Sequence, residues 1–160
     1  MDSSLLSKKY KVRKLTKNDI DIIYDLSKNN KIFYEYHPPF VTKESIIDDM
    51  EALPPGKDYD DKFYIGYFDN NELVAVMDLI LKYPNEDISF IGLFMMKIKY
   101  QGNGIGTSII NDLCESLRTL GFKSICLGVD IGNPQSNHFW QKNNFKVVKE
   151  EEFIVMERIL

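Results

Sequence analysis

The sequence contains few of the residues that mark metal centres, disulfide scaffolds or membrane spans. Its 160 residues include two cysteines, two histidines and one tryptophan. Cys114 and Cys126 stand among apolar neighbours without a second cysteine or a histidine at metal-ligand spacing. We interpret both as buried thiols and expect no metal. No apolar run approaches the roughly 18 residues that a membrane span requires, and no N-terminal targeting pattern is present. We therefore expect a soluble, cytoplasmic protein without a membrane partner.

An excess of positive charge is also missing. The chain has 20 basic and 24 acidic residues, which gives a formal net charge of −4. Nucleic acids are bound by basic surfaces, so we expect no nucleic-acid partner, although a local positive site remains compatible. With 44% hydrophobic and 28% charged residues, the composition is typical of one globular domain.

Apolar periodicity predicts alternating helices and strands. Residues 1–9 are polar, and we expect a flexible tail there, followed by a single domain over residues 10–160. A strand comes first, then a helix from Lys17 to Lys28, an aromatic connection, and a second helix that begins near Thr42. Three strand-like runs with short turns follow between residues 62 and 98, which indicates an antiparallel meander.

The second half of the chain predicts a crossover. A long amphipathic helix leads to the apolar run "FKSICLGV", and a strand, helix and strand in this order form a parallel pair. Asn133 and Pro134 suit the start of another helix, and a hairpin ends the chain. We predict an α/β (α+β) fold: a mixed, mostly antiparallel central sheet of about six to seven strands with four helices.

Three glycines, Gly102, Gly104 and Gly106, come directly before the long helix. Glycine lets the backbone turn sharply or approach a ligand closely, and a helix N-terminus offers unpaired N–H groups to an anion. The spacing matches neither a P-loop nor the dinucleotide-binding fingerprint. On the glycines alone, a phosphate-binding loop and a strand-to-helix turn without a ligand both remain open.

The segment "QGNGIG", Gln101 to Gly106, resembles the Q/R-x-x-G-x-G/A signature of the GNAT superfamily of N-acetyltransferases. The likeness continues: "FMMKIKYQGNGIG" resembles the family's strand, turn and loop, and "GNPQSNHFWQKNNF" is similar to its second motif. The order of elements over residues 10 to 160 agrees as well. The resemblance implies a sheet splayed around a cleft for acetyl-CoA, which would be the cosubstrate.

Site residues follow from the same resemblance. It implies that the loop around the pyrophosphate contains Gln101, Gly102, Asn103, Gly104, Gly106 and Thr107. The backbone of Met95, Met96 and Ile98 would hydrogen-bond the pantetheine arm, and Asn133 would meet that arm from the other side. A backbone N–H at Met96 would donate to the oxyanion that develops during transfer.

The general base is harder to assign. Some family members carry a glutamate on the central strand, but residues 88–96 contain no carboxylate. Candidates elsewhere are Asp78, Asp130, Glu35 and His37. We select Asp78, because a carboxylate within the apolar run "VAVMDLIL" is costly to bury unpaired. An outward-facing position or a structural hydrogen bond is the alternative for Asp78. We expect packing or a loop contact for His37, and a surface position or the cofactor rim for His138.

Trp140 stands where the family usually has a tyrosine that protonates the departing thiolate. An indole N–H is only a hydrogen-bond donor, so we expect Trp140 to pack beside Phe139 and Phe145. The thiolate would then be protonated by water, by another group or by the substrate ammonium.

The resemblance implies acetyl transfer from acetyl-CoA to a primary amine, with a small molecule as the expected acceptor, directly within a ternary complex. The aromatic loop "IFYEYHPPF", with Glu35 and the nearby Asp60 and Asp61, would form the wall of the acceptor site. A protein N-terminus or lysine side chain is an alternative acceptor. A non-catalytic acyl-CoA-binding module is the alternative of a different class, and a homodimer is left open.

Overall fold

Seven strands form one sheet in the order β1-β2-β3-β4-β5-β7-β6 in the computed structural model, which describes residues 1–160. Neighbouring strands are antiparallel except for the parallel pair of β4 and β5, as expected for a mixed sheet with one crossover. The strands are β1 Lys11–Lys14, β2 Lys62–Asp69, β3 Glu72–Ile80, β4 Ile88–Met96, β5 Ser124–Val129, β6 Lys146–Glu150 and β7 Ile154–Ile159. The predicted meander is confirmed as β2, β3 and β4.

Five helices accompany the sheet: α1 Ile20–Ser27, α2 Lys31–Tyr36, α3 Lys43–Glu51, α4 Ile105–Thr119 and α5 Pro134–Lys142. Asn133 caps α5 through its side chain, which accepts from the Ser136 N–H, as the sequence predicts. The additional helix is α2, which lies in the expected aromatic connection. Six residues are too few for an apolar period to appear, and the prolines that follow favour a loop.

The two faces of the sheet carry separate apolar clusters. The larger contains 24 buried residues and packs the sheet against α4, with Ile109, Leu113 and Leu117 fully buried. The smaller contains 10 and packs α1 and α3 through Ile23, Leu26 and Ile46. Side chains alternate along a strand, so β2, β3 and β4 contribute to both clusters. We call these the α4 face and the α1–α3 face.

The sheet divides between β4 and β5. Their ladder runs from Ile88 opposite Ser124 to Ile91 opposite Leu127, although both strands continue further. On the other edge of β4, Asp78 pairs with Leu93 and Leu79 pairs with Ile91, so Gly92 is the extra residue of a β-bulge. A bulge bends its strand and increases its twist. The bulge therefore coincides with the place where β4 turns away from β5 and a cleft opens.

The N-terminal segment differs from the flexible tail that its polarity suggests. Residues Ser3–Leu6 form a 3-10 helix, Leu6 is fully buried, and the Ser116 hydroxyl of α4 donates to the Leu5 carbonyl at 2.7 Å. Lys8 forms an ion pair with Glu115 of the same helix. A single buried leucine gives no periodic signal, so sequence patterning missed this contact. Separately, none of the helices has the length and apolar character needed to cross a bilayer.

Candidate active site

An open cleft with a volume of about 280 Å³ lies beside the end of β4. It continues to the N-terminal ends of α4 and α5. Its walls are formed by Asn30, Phe33, Phe94, Met95, Met96, Gln101, Gly102, Gly104, Gly106, Thr107, Gln135, Ser136, His138, Phe139, Trp140 and Lys142. Seven residues that the family resemblance assigned to the cofactor are therefore together in one cleft.

The glycine loop is suited to an anion at the start of α4. Gly104 is the N-cap and adopts a left-handed backbone with φ of 77°. The N–H groups of the residues that follow have no partner within the helix, because a first turn leaves its donors unpaired. Thr107 Oγ1 is buried without a hydrogen-bond partner. A ligand with phosphate oxygens would satisfy both the amides and this hydroxyl, so the residues present fit the pyrophosphate of acetyl-CoA.

Gly106 serves packing rather than conformation. A Cβ at this position would lie 2.9 Å from Met96 Sδ and 2.9 Å from a ring carbon of Phe139. Real Cβ atoms do not approach side chains this closely, so only glycine lets α4 begin against the end of β4 and against α5. The glycine thus brings the three elements of the cleft together.

Backbone direction distinguishes Met95 from Met96. The Lys97 N–H donates to the Val74 carbonyl of β3, and backbone groups on an antiparallel strand alternate in direction. Met95 therefore points its N–H and carbonyl toward β3, which corrects the expectation that its backbone faces the pantetheine. The backbone of Met96 faces the cleft, and so does that of Phe94, which sequence analysis did not select.

The Met96 carbonyl is held by two side-chain amides. Asn30 Nδ2 and Gln101 Nε2 each donate to it at 3.0 Å, and Gln101 Nε2 also donates to Asn30 Oδ1 at 2.9 Å. Gln101 thus fixes the end of β4, in addition to lining the cleft. Asn30 is 7% exposed and was missed, because one asparagine between two helices carries no pattern in the sequence.

Three residues assigned to the cofactor lie elsewhere. Ile98 is in a 3-10 turn, is 46% exposed, and its carbonyl accepts from the Gln101 N–H. Asn103 is exposed and is outside the cleft lining. Asn133 is 1% exposed, and its side chain is committed to capping α5. Capping by a polar side chain at a helix start is a local interaction that a family motif does not distinguish from ligand binding.

Aromatic rings form the wall on the α4 face. Trp140 is 7% exposed and packs edge-to-face on Phe139 and Phe145, with ring centroids 4.9 Å and 5.0 Å away. Phe94 lies 5.9 Å from Trp140. The expected packing position of Trp140 is therefore observed. His138 lies at the cleft lining, as expected for a residue of the cofactor rim.

Asp78 lies on the α1–α3 face of the sheet, over the bulge of β4. Its carboxylate forms a buried ion pair with Lys62, whose Nζ lies 2.9 Å and 3.0 Å from the two oxygens. A Cβ at Gly92 would be 3.0 Å from Asp78 Oδ2, so the carboxylate lies over the bulge. Burial raises the pKa of Asp78, the charge and hydrogen bonds of Lys62 lower it, and the charge of Asp49 raises it further. The interaction with Lys62 is the structural role that sequence analysis left open. Asp78 is not among the residues that line the cleft.

Lys62 was not selected from the sequence, although the register of the β2–β3 hairpin would have placed it near Asp78. Lys62 pairs with Ile80 and Tyr64 pairs with Asp78, so both β2 residues share a sheet face with Asp78. Asp49 of α3 belongs to the same group of charges, and its negative charge raises the pKa of Asp78. Burial is the main cause of the raised pKa of Asp49 itself, and the charge of Lys62 opposes that shift.

The other acidic residues and the histidine that the sequence suggested lie on different elements from Asp78. His37 Nδ1 lies 3.0 Å from Asp130 Oδ1, and this pair joins the end of α2 to the end of β5. Glu35 is exposed on α2. Asp60 and Asp61 belong to a 3-10 turn before β2, and Asp61 pairs with Lys57. His37 therefore makes the loop contact that was expected. The carboxylate of Asp61 already has Lys57 as its cationic partner.

Comparison with solved structures supports the same architecture. An acetyltransferase from Thermus thermophilus superposes with a TM-score of 0.81 at 20% identity, covering 95% of this chain and 97% of that chain. The PaiA N-acetyltransferase from Thermoplasma acidophilum, solved in complex with coenzyme A, gives 0.72 at 17% identity, with 95% and 99% covered. Ard1 from Thermoplasma volcanium gives 0.67 at 16% identity, with 94% and 97% covered. A search of curated protein sequences gives no significant match.

The family model described as the acetyltransferase (GNAT) family matches residues 24–145. This range contains the meander, the bulge, the glycine loop and α5, which together build the cleft. It also contains Asp78 and Trp140, so the departures from the usual residues fall within the matched region. The chain belongs to the GNAT family of acetyltransferases and is an acyltransferase.

Proposed function

We propose that the protein is an N-acetyltransferase that moves an acetyl group from acetyl-CoA to a small primary amine within a ternary complex. The observation that carries this proposal is the cleft, which joins an anion-binding helix start to the end of β4, where that strand turns away from β5. The complex of the Thermoplasma acidophilum relative with coenzyme A supports the choice of cosubstrate. Acetyl-CoA would supply the acetyl group as an activated thioester.

The glycine loop and the end of β4 hold the cosubstrate in this proposal. Amides after Gly104 and the Thr107 hydroxyl donate to the pyrophosphate. The cleft-facing backbone of Phe94 pairs with the amide groups of the pantetheine arm, whereas the Met96 carbonyl already accepts from Asn30 and Gln101. An N–H of this edge, at Met96 or Phe94, donates to the carbonyl oxygen, where negative charge develops during the attack.

Asp78 is the proposed general base. It lies over Gly92, where β4 turns away from β5, and Lys62 holds its carboxylate in place. Asp78 accepts a proton from the acceptor ammonium, the free amine nitrogen bonds to the acetyl carbon, and the carbon–sulfur bond breaks. The coenzyme A thiolate takes a proton from water or from the reacting ammonium, because the Trp140 N–H is too weak an acid.

The proposal is tested by incubating the protein with acetyl-CoA and a panel of amines. We expect thiol release and acetylated products identified by mass spectrometry. Asp78→Asn should lower kcat by about 100-fold or more, as expected for loss of a general base, while acetyl-CoA affinity measured by calorimetry stays unchanged. Lys57→Met, which removes the partner of a different aspartate, is the control.

The result also distinguishes the alternatives. A non-catalytic module would bind acetyl-CoA at the same cleft and release almost no thiol with any amine. Acetylation of peptides but not of small amines would identify a protein acetyltransferase. Turnover that is unchanged in folded Asp78→Asn would remove Asp78 from the chemistry.

A further inference from the structure

Two glycines lie at the point where β4 and β5 separate. Ile91 opposite Leu127 is the last pair of the parallel ladder, so the next residues on the two strands are Gly92 and Gly128. Both glycines are exposed, whereas Ile91 and Leu127 are buried. Because neither glycine has a Cβ, the layer of side chains on the sheet is interrupted at this point. The gap between β4 and β5 therefore begins at two positions without side chains, and we call this gap the opening.

Each glycine is covered on the same face by a side chain from another strand or turn. A Cβ at Gly92 would lie 3.0 Å from Asp78 Oδ2, and a Cβ at Gly128 would lie 2.9 Å from Phe153 Cδ2. Gly128 stands between Leu127 and Val129, which belong to the cluster on the α4 face, so its own position faces α1–α3. The Asp78 carboxylate therefore lies on the β4 side of the opening and the Phe153 ring on its β5 side, both on the α1–α3 face.

Phe153 has the character of a contact residue rather than a core residue. It lies in the turn between β6 and β7, where the Glu151 N–H donates to the Phe153 carbonyl at 3.0 Å. Its side chain is 41% exposed, and it is in neither apolar cluster. The Phe153 ring thus contacts Gly128, and part of its surface is accessible to a molecule in the opening.

We propose that Phe153 determines acceptor specificity by restricting the opening to primary amines whose nitrogen is on an unbranched carbon. This inference rests on the proposed acetyl transfer. The acceptor ammonium lies toward the Asp78 carboxylate, and its alkyl chain lies against the Phe153 ring. A substituent on the carbon next to nitrogen would meet that ring. The favoured acceptors are unbranched alkylamines, whereas the α-amino group of a peptide, on a branched carbon, is disfavoured.

Conjugates of coenzyme A test this selection without requiring turnover. The sulfur is joined through –CH2–CO–NH– to an n-butyl or a sec-butyl group, so that the two probes differ only in branching. Calorimetry should show that the wild-type protein binds the n-butyl conjugate about tenfold or more tightly than the sec-butyl conjugate, the scale of one misplaced methyl group. Phe153→Ala should reduce this preference to less than about threefold. Affinity for coenzyme A itself should be the same in both proteins.

Two further variants sharpen the test. Val148→Ala, which removes an exposed side chain from the same hairpin, should keep the wild-type preference. Gly128→Ala places a Cβ against the Phe153 ring and should weaken both conjugates by about tenfold while leaving coenzyme A binding unchanged.

Equal binding of the two conjugates to the wild-type protein would overturn the inference, and so would an unchanged preference in folded Phe153→Ala. Failure of the proposed function has a different signature. In that case the wild-type protein would still distinguish the conjugates but would acetylate neither n-butylamine nor any other amine.

Discussion

At the scale of single residues, three neighbours determine the ionisation of Asp78. Burial raises its pKa, Lys62 lowers it through charge and hydrogen bonds, and the carboxylate of Asp49 raises it. A general base acts in its ionised form, so kcat/KM should fall as the pH drops below the pKa of Asp78. The ion pair with Lys62 should therefore keep this proposed base ionised to lower pH than burial alone would allow.

Two substitutions should move this acidic limb in opposite directions. Lys62→Met removes the cause that lowers the Asp78 pKa, so the limb of the kcat/KM profile should move to higher pH. Asp49→Asn removes a cause that raises it, so the limb should move to lower pH. Asp48→Asn, the exposed neighbour on α3, is the control and should leave the profile in place. Shifts of the same sign in both variants would contradict the proposed arrangement.

Trp140 provides a second prediction for a single residue. The ring is buried against Phe139 and Phe145, which is a packing environment. Trp140→Ala should lower the free energy of unfolding by about 3 to 5 kcal/mol, measured by denaturant titration. Trp140→Phe retains an aromatic ring without the N–H and should keep turnover within roughly tenfold. A folded Trp140→Phe protein with normal acetyl-CoA affinity and turnover reduced a thousandfold would instead place the indole in the chemistry.

At the scale of elements, the start of α4 depends on the backbone of one glycine. Gly104 has φ of 77°, and a Cβ built there would meet nothing within 4 Å. A side chain at this position is therefore unfavourable because of the left-handed backbone conformation and not because space is lacking. The loop that precedes the helix keeps its amides directed at the anion only while this conformation is maintained.

Gly104→Ala should weaken acetyl-CoA binding by about tenfold, because the left-handed conformation costs alanine roughly 1–2 kcal/mol and the loop relaxes away from it. Gly121 offers a matched control at the other end of α4, since it also has positive φ, 96°, and open space for a Cβ. Gly121→Ala should lose similar stability but retain wild-type affinity in calorimetry. Equal loss of affinity in both variants would show a general effect of destabilising the helix.

At the scale of the whole molecule, the N-terminal segment contacts α4, more than a hundred residues away in sequence. Lys8 pairs with Glu115, the Lys8 N–H donates to Asp112 Oδ2 at 2.9 Å, and Ser116 donates to the Leu5 carbonyl. Leu6 is fully buried in the cluster on the α4 face. The helix that presents the glycine loop is therefore held on its outer side by the start of the chain.

Adjacent leucines allow a direct test of this contact. Leu6→Ala should lower the free energy of unfolding by about 2 to 5 kcal/mol, because it leaves a cavity in the core. Leu5 is 65% exposed, and Leu5→Ala should change stability by no more than about 0.5 kcal/mol. Denaturant unfolding of both variants measures the difference. Equal stability of the two variants would show that residues 1–9 behave as the flexible tail that their polarity predicts.

Strong periodic patterns and local motifs can be recognised in consecutive residues. The long apolar spacing in α4, the meander, the cap at Asn133 and the glycine loop all depend on interactions within one element or between close neighbours. Contacts between distant segments leave no such pattern. Asn30 and Gln101 meet at the Met96 carbonyl, and Phe153 meets Gly128, although no spacing in the chain relates these residues.

The sequence by itself determined the family, the elements and the glycine loop, because local backbone preferences and apolar periods depend on residues that are close together in the chain. Tertiary structure decided which groups surround the opening. Strand register brings Lys62 to Asp78, the bulge turns β4 away from β5, and the parallel ladder ends just before Gly92 and Gly128. Register and bulges depend on the simultaneous packing of both sheet faces, which is a property of the whole chain.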